Sequence, residues 1–240
     1  MRKELWIAIW RFLPIMLLVL LLWVVHVYQW YNNVSFADYG LYPREWIGLR
    51  GVVFMPFLHG DFKHLISNSI PLLVLGGGLT YFYPTLYKKV IFWIIVAGGF
   101  WLWLGGRSSY HIGASGLVYG LSSFLFFSGF LRKDLRLMAL SMLVVFLYGG
   151  MVWGILPLIK EVSWEGHLFG GLAGALMAWV YRTDGPQRKQ YVWDLEEEDE
   201  DEDDAYWNPP DNPVANQPQR ITYIYQPQNN QSEGKKDEEN

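Results

Sequence analysis

Apolar residues along the chain gather into six long runs that are separated by charged residues, glycines or prolines. The runs cover residues 12–31, 58–83, 90–104, 113–130, 137–156 and 166–181. A helix rises about 1.5 Å per residue, so roughly 20 apolar residues cross the hydrocarbon core of a bilayer, which is about 30 Å thick. The pattern therefore predicts an all-α membrane protein, in which residues 1–182 form a bundle of six transmembrane helices in contact with the lipid bilayer.

Positive charges between the runs indicate the orientation of the helices. Loops on one side of the bilayer hold 11 Lys and Arg residues, whereas loops on the other side hold 5. Because the cytoplasmic side carries the excess of positive charge, both termini are expected in the cytoplasm. The first run is too long for a secretory signal and has no small-residue cleavage site, so it is predicted to remain as the first span. A short basic N-terminus without a transit-peptide pattern favours the inner (plasma) membrane of a bacterium.

Charge and composition change after residue 182. Residues 1–182 carry a net charge of +7, whereas residues 183–240 carry −11 and include the run EEEDEDEDD at 196–204. Such a segment buries too little apolar surface to offset its ordering entropy, so residues 183–240 are predicted to be a disordered acidic cytoplasmic tail of unknown partner. The chain has no cysteine, which excludes disulfides and thiolate chemistry. No feature predicts a cofactor, a bound metal or a nucleic-acid partner.

Three polar side chains in the second, fourth and sixth runs share one predicted depth. These runs cross the bilayer in the same direction, so depth can be counted from the residue just beyond the cytoplasmic end of each run. The distance is 16 residues from Asn68 to Pro84, 17 from Ser115 to Arg132 and 15 from His167 to Arg182. At about 1.5 Å per residue, the three depths agree within about 3 Å. Polar groups inside a membrane are costly unless they pair or line a wet cavity. We therefore expect these three residues to line one site that water reaches from outside.

Serine and histidine at one depth are typical of nucleophilic catalysis. The His167 imidazole would take the proton of the Ser115 hydroxyl as the oxygen attacks, and would later return it to the leaving amine. Asn68, His64 one turn before it and the backbone N–H of Ser115 would donate hydrogen bonds to the oxyanion. Tyr119, one turn after Ser115, would pack against the imidazole. The only carboxylate in the six runs is Asp61, seven residues before Asn68 and so well outside the shared depth; the sequence therefore predicts a catalytic dyad.

Glycines leave one face of the fourth and sixth helices bare. They recur at three- and four-residue spacing, which allows helix backbones to approach closely in lipid. A close approach would bring a short serine side chain within reach of histidine. The glycines concerned are Gly113, Gly116 and Gly120 in the fourth run and Gly166, Gly170 and Gly174 in the sixth.

The chain resembles the rhomboid family of intramembrane serine proteases. The resemblance covers roughly residues 10–182 and is carried by FLHGDFKHLISN at 57–68, GASGLVYG at 113–120 and GHLFGGLAG at 166–174. It implies a six-helix rhomboid-like fold with Ser115 as nucleophile and His167 as base, and it implies cleavage of membrane-protein substrates at small residues. It also implies an oxyanion hole of Asn68, His64 and the Ser115 amide, and substrate entry beside the fifth helix. His59 matches a further family position.

Two positions depart from the family pattern. The family often has Ala directly before the catalytic histidine, where this chain has Gly166. The first loop often carries a Trp-Arg pair before the second helix, where this chain has LRG at 49–51. The second departure leaves open how the first loop is anchored.

Other classes of protein fit the sequence less well. Four histidines lie towards the outer side, at positions 59, 64, 111 and 167, and would line a metal transporter. That interpretation leaves GASG and Asn68 without a role, and Asp61, at the outer end of the second run, is the only carboxylate within the runs. A non-catalytic relative that binds membrane helices is disfavoured by the intact Ser115 and His167, and His59 alone is best explained as a structural residue. We therefore predict an endopeptidase that cleaves transmembrane segments through an acyl-enzyme on Ser115.

Overall fold

Helices make up the regular structure of the described residues. The structure, a computed structural model, describes residues 2–147, 153–157 and 162–185. No strand occurs in these ranges, and the only β-type pairing described there is one antiparallel bridge between Leu41 and His111. The prediction of a helical protein with several apolar helices is confirmed, whereas the predicted acidic tail lies almost wholly outside the described residues. The α-helices of the described ranges are α1 (Arg2–Asn32), α2 (Gly51–Phe54), α3 (Phe62–Pro71), α4 (Gly77–Phe82), α5 (Tyr87–Gly105), α6 (Ser115–Leu131), α7 (Leu135–Leu147) and α8 (Trp164–Val180).

Three of the described helical segments are long and apolar enough to cross a membrane, namely Ile9–Asn32, Phe62–Phe82 and Tyr87–Gly105. Helices α6 and α8 have 17 residues each, which is roughly the lower limit for a span. Helix α7 has 13 residues, and Trp153–Ile155, predicted to belong to the fifth span, form a 3-10 turn instead. The count of six spans therefore stays a prediction.

The second span changes its winding at a proline. Helix α3 begins after Asp61, whose carboxylate accepts the His64 backbone N–H at 2.8 Å and so caps the first turn. Pro71 has no N–H to donate, and the backbone directly after it, Leu72–Gly76, is a π-helix that continues into α4. Phe62–Phe82 is therefore one continuous helical segment with a wider turn in its middle.

Glycines 76–78 let neighbouring helices approach α4. A Cβ atom on Gly76 would lie 2.8 Å from Cδ1 of Ile15, and one on Gly77 would overlap the ring of Phe12. Both partners belong to α1. A Cβ atom on Gly78 would instead overlap Leu140 of α7. Close packing with α1 and α7 therefore accounts for the three glycines.

Helix α6 contacts α3, α5, α7 and α8, and it carries Ser115 at its N-terminus. Its side chains Leu121, Phe124 and Leu125 are fully buried, in one core with Leu79 of α4. A helix that is apolar on nearly all sides belongs inside a bundle. This burial holds the serine end of α6 in a defined place.

The first loop is anchored by Arg44 and Trp103. The Arg44 guanidinium donates to the Gly106 carbonyl at 2.7 Å and to the Ser108 hydroxyl at 2.9 Å. The Trp103 indole N–H donates to the Glu45 carbonyl at 2.9 Å. These bonds join the first loop to the end of α5 and to the residues that follow it, and they hold the loop in the absence of a Trp-Arg pair.

Arg132, one of the 11 basic residues of the predicted cytoplasmic loops, is buried at the end of α6. Its guanidinium donates to the Tyr181 carbonyl at 2.6 Å and to the Asp184 carbonyl at 2.7 Å, and it lies over the Tyr83 ring. Cations near the carbonyl end of a helix are stabilising because the last C=O groups have no partner within the helix. Arg132 thus ties the end of α6 to the end of α8.

Candidate active site

Ser115 is the first residue of α6. The turn before it is made by Gly113, whose φ of +111° lies in the region that favours glycine and whose N–H donates to the Met55 carbonyl at 2.9 Å. Ala114, at the N-cap, supplies no side-chain cap. Because the first N–H groups of a helix have no acceptor within it, the Ser115 amide is a hydrogen-bond donor at the positive end of α6.

The imidazole of His167 lies beside the Ser115 hydroxyl. Its Nε2 is 2.8 Å from Ser115 Oγ, and its Nδ1 is 2.8 Å from the carbonyl oxygen of Gly154. A carbonyl oxygen only accepts, so Nδ1 carries the proton and Nε2 accepts the hydroxyl hydrogen of Ser115. The backbone carbonyl thereby selects the tautomer that a general base needs.

Tyr119 holds the imidazole from one face. The rings of Tyr119 and His167 are stacked, with 4.2 Å between their centroids and 9° between their planes. Tyr119 lies four residues after Ser115, so one helix presents both the hydroxyl and the stacking ring to α8. The ring restricts rotation of His167, whose nitrogens are already directed by the serine and the carbonyl.

Asn68 and His64 face the serine from α3. A Cβ atom on Gly113 would lie 2.6 Å from His64 Nε2 and 3.6 Å from Asn68 Nδ2, so both side chains converge on the backbone two residues before Ser115. Asn68 is buried, and its Nδ2 has no hydrogen-bond partner among the described residues. A buried donor without an acceptor costs free energy unless another molecule completes the bond, and it therefore indicates a functional site.

Helices α6 and α8 meet through their backbones. A Cβ atom on Gly170 would overlap the carbonyl of Gly116, and one on Gly174 would overlap the carbonyl of Gly120. A Cβ atom on Gly116 would lie 3.0 Å from the Gly166 carbonyl oxygen. The predicted glycine faces are thus in contact, and they bring Ser115 and His167 within hydrogen-bond distance.

The four histidines predicted on the outer side do not converge on one point. His59 is buried before α3 and meets the His64 ring edge-on, with 5.1 Å between centroids. His111 bonds to Ser163, whereas His167 bonds to Ser115. The described part of the chain holds no group of three or more His, Asp or Glu side chains arranged to bind a metal ion. The geometry therefore does not favour the metal-transporter alternative.

Two features of the site were missed in the sequence. Gly154, which accepts the Nδ1–H of His167, lies in a turn rather than in a helix and acts through its backbone. Glu165 lies just before the predicted sixth span, but it belongs to the first turn of α8, is buried and lies 3.7 Å from the Arg107 guanidinium. Both ring nitrogens of His167 are bonded to other groups, so Glu165 does not extend the Ser115–His167 pair to a triad.

Comparisons with known proteins give one family match and several similar chains. Residues 45–184 match the family model described as "Rhomboid domain". The chain is 37% identical over 190 residues to "Uncharacterized protein Rv1337" of Mycobacterium tuberculosis strain H37Rv, covering 73% of this chain and 76% of that protein. It is 34% identical over 182 residues to "Uncharacterized protein ML1171" of Mycobacterium leprae, covering 70% of each. "Putative rhomboid protease YdcA" of Bacillus subtilis is 25% identical over 163 residues, covering 64% of this chain and 76% of that protein.

Proposed function

The chain belongs to the rhomboid family, and we propose that it is an intramembrane serine endopeptidase that cleaves transmembrane segments of other membrane proteins. The observation that carries this proposal is the 2.8 Å contact between Ser115 Oγ and His167 Nε2, with Nδ1 held by a carbonyl. A hydroxyl beside a correctly oriented neutral imidazole is an activated nucleophile.

The reaction begins with attack of Ser115 Oγ on the scissile carbonyl carbon. His167 Nε2 takes the hydroxyl proton as the C–O bond forms, and the Gly154 carbonyl and the Tyr119 ring keep the imidazole oriented. The tetrahedral intermediate then collapses, the C–N bond breaks, and His167 donates the proton to the leaving amine. An acyl ester on Ser115 remains.

The oxyanion of the intermediate is stabilised by donors that are in place before the reaction. Asn68 Nδ2 is buried and unpartnered among the described residues, and His64 Nε2 points to the same stretch of backbone. The Ser115 amide at the helix N-terminus is the third donor. Such donors are most effective where water is scarce, because the local dielectric is low.

Hydrolysis of the acyl ester needs water, so the site is expected to open to the outer side of the membrane. A substrate helix hides its carbonyl groups in hydrogen bonds and has to unwind before attack. Substrates with helix-weakening residues near their outer ends are therefore favoured. The family resemblance adds a preference for small residues at the cut.

The protein is an integral membrane protein. We further propose that the protein crosses the plasma membrane of a bacterium six times and has both termini in the cytoplasm. The excess of Lys and Arg in alternate loops supports this orientation. Cysteine accessibility scanning of single cysteines introduced into the loops would test it, since the chain has none of its own.

The test of the function compares wild type with Ser115→Ala and His167→Ala in liposomes that contain a model transmembrane substrate. We expect each variant to lose activity by roughly 10⁴-fold, because the two residues act as a unit. Ser122→Ala, a buried serine two turns further along α6, is the matched control and should retain activity. A fluorophosphonate should label wild type on Ser115. A folded wild-type protein that neither cleaves nor is labelled would instead be a non-catalytic relative.

A further inference from the structure

A buried histidine outside the Ser115–His167 pair joins the loop before α6 to the start of α8. We propose that His111 is a positioning residue, which sets the distance between Ser115 and His167 through its hydrogen bond to Ser163. The inference rests on the proposed function and adds a residue to it. His111 is only 2% exposed, and its Nδ1 lies 2.6 Å from Ser163 Oγ.

The partners of His111 specify one neutral tautomer. Ser163 Oγ accepts the Gly166 backbone N–H at 3.3 Å, which leaves the serine hydrogen to donate to Nδ1 of His111. On the other side of the ring, Nε2 lies 3.1 Å from the Arg107 carbonyl oxygen, which only accepts, so Nε2 carries the proton. Burial lowers the pKa of His111, which keeps this neutral form at pH 7.

The bond between His111 and Ser163 connects two short segments, each of which ends at a reacting residue. His111 lies four residues before Ser115, and Ser163 lies four residues before His167. The backbone of His111 is itself held by Leu41, with paired N–H to carbonyl bonds of 2.8 and 3.0 Å. The His111 backbone is thus fixed, and its side chain provides a rigid point to which Ser163 at the start of α8 is bonded.

A second connection joins the same two segments. The Arg107 guanidinium donates to the Val162 carbonyl at 2.7 Å, and the Arg107 backbone N–H donates to Glu165 at 3.3 Å. The glycine contacts of α6 and α8 set how close the helices are, whereas the loop connections set their register at the outer end. Register is important because a misplacement of about 1 Å can lower a rate by roughly 10²-fold.

Two substitutions of His111 distinguish loss of the hydrogen bond to Ser163 from a change in side-chain size. In His111→Asn the amide oxygen is as many bonds from Cα as Nδ1 and can accept the Ser163 hydroxyl. In His111→Gln the side-chain amide reaches the place of Nε2 instead, so the bond to Ser163 is lost while a polar group of similar size is kept. Ser163→Ala removes the bond from the other side.

The measurement is the rate at which a fluorophosphonate labels Ser115 in the full-length protein in detergent, together with Tm and with KM and kcat for the model substrate. We expect His111→Gln and Ser163→Ala each to slow labelling and kcat by roughly tenfold or more, with KM within about twofold. The double variant should be no slower than the slower single variant, and His111→Asn should label within about threefold of wild type. Ser141→Ala, which removes a buried hydroxyl that donates to Leu137 within α7, should have no effect.

The outcomes distinguish this inference from the proposed function. A folded His111→Gln protein that labels at the wild-type rate, or a double variant in which the two effects multiply, would overturn the role of His111 while leaving the protease intact. Wild-type protein that is never labelled on Ser115 would overturn the proposed function and, with it, this inference. If His111→Gln fails to fold, Ser163→Gly decides instead, because glycine is tolerated at the N-cap of α8 while the bond to His111 is lost. A wild-type labelling rate in that variant would overturn the role of His111.

Discussion

The two sides of the candidate site are bonded very differently. On the side of α6 and α8, both ring nitrogens of His167 have partners, and its ring is stacked on Tyr119. On the side of α3, Asn68 Nδ2 is buried and has no partner among the described residues, although it lies close to Gly113, two residues before Ser115. One side is complete in the resting protein, whereas the other has an unused donor.

This difference matches what catalysis requires of each side. A nucleophile and its base have to be aligned before the substrate arrives, so their hydrogen bonds are made in the resting state. Donors for an oxyanion are most useful when they are engaged only as the negative charge develops, because interactions stronger in the transition state than in the ground state accelerate the reaction. Substitutions on the two sides should therefore affect stability and rate in different proportions.

The largest effect that sharpens this comparison is expected at Asn68. Asn68→Ala should lower kcat by roughly 10²–10³-fold, as loss of one oxyanion donor does in other enzymes. Its Tm should stay the same or rise, because the substitution removes a buried unpaired donor. Steady-state cleavage and thermal unfolding measure the two quantities. A clear fall in Tm would show that Asn68 is bonded in the resting state, and Ser67→Ala on the exposed neighbouring position is the control.

Gly170→Ala is expected to lower activity less than Asn68→Ala does, but it should also lower the stability of the protein. The added methyl would overlap the Gly116 carbonyl and separate the two helices, at a cost of about 1–3 kcal/mol. We expect Tm to fall by several degrees and labelling of Ser115 to slow by about tenfold.

Gly171→Ala supplies the matched control for that substitution. A Cβ atom at this neighbouring position meets nothing within 4 Å, and alanine favours the helix over glycine. Its Tm should be unchanged or slightly higher. Equal effects at both glycines would show that helix propensity, rather than the contact between α6 and α8, determines the result.

The smallest loss of activity among the substitutions of site residues is expected for Tyr119→Phe. Tyr119→Phe keeps the stacked ring, so kcat should fall by no more than about threefold, whereas Tyr119→Leu removes the aromatic face and should cost about tenfold. The pH dependence of Ser115 labelling should keep its shape in the phenylalanine variant. If phenylalanine and leucine gave the same loss, the ring stack would not be what orients His167.

Side chains of the site were predictable, whereas backbone groups were not. Asn68, Ser115 and His167 could be placed at one depth because polar residues in an apolar run are conspicuous and a helix has a constant rise. The structure brings all three together, and their catalytic roles stay proposals. The carbonyl of Gly154 could not have been found in the same way, since every residue carries a carbonyl and only the path of the chain decides which one meets an imidazole.

Loop contacts escaped prediction for a related reason. The sequence analysis named His111 only in the disfavoured metal alternative, yet it bonds to Ser163, 52 residues further along the chain. Arg44 anchors the first loop through the Gly106 carbonyl, although it is not part of the family pattern there. Partners that are distant in sequence are selected by how loops fold over the helix ends, which has no periodic signal.

Apolar runs, charge bias and glycine spacing were enough to determine that this chain is a helical membrane protein and which helix faces meet, because lipid requires backbone groups to be satisfied within each helix. The tautomer of His167, the unpaired amide of Asn68 and the bond between His111 and Ser163 were decided only by tertiary structure. Each depends on distances of about 3 Å between groups on different elements, and hydrogen bonds weaken steeply when such distances and angles change.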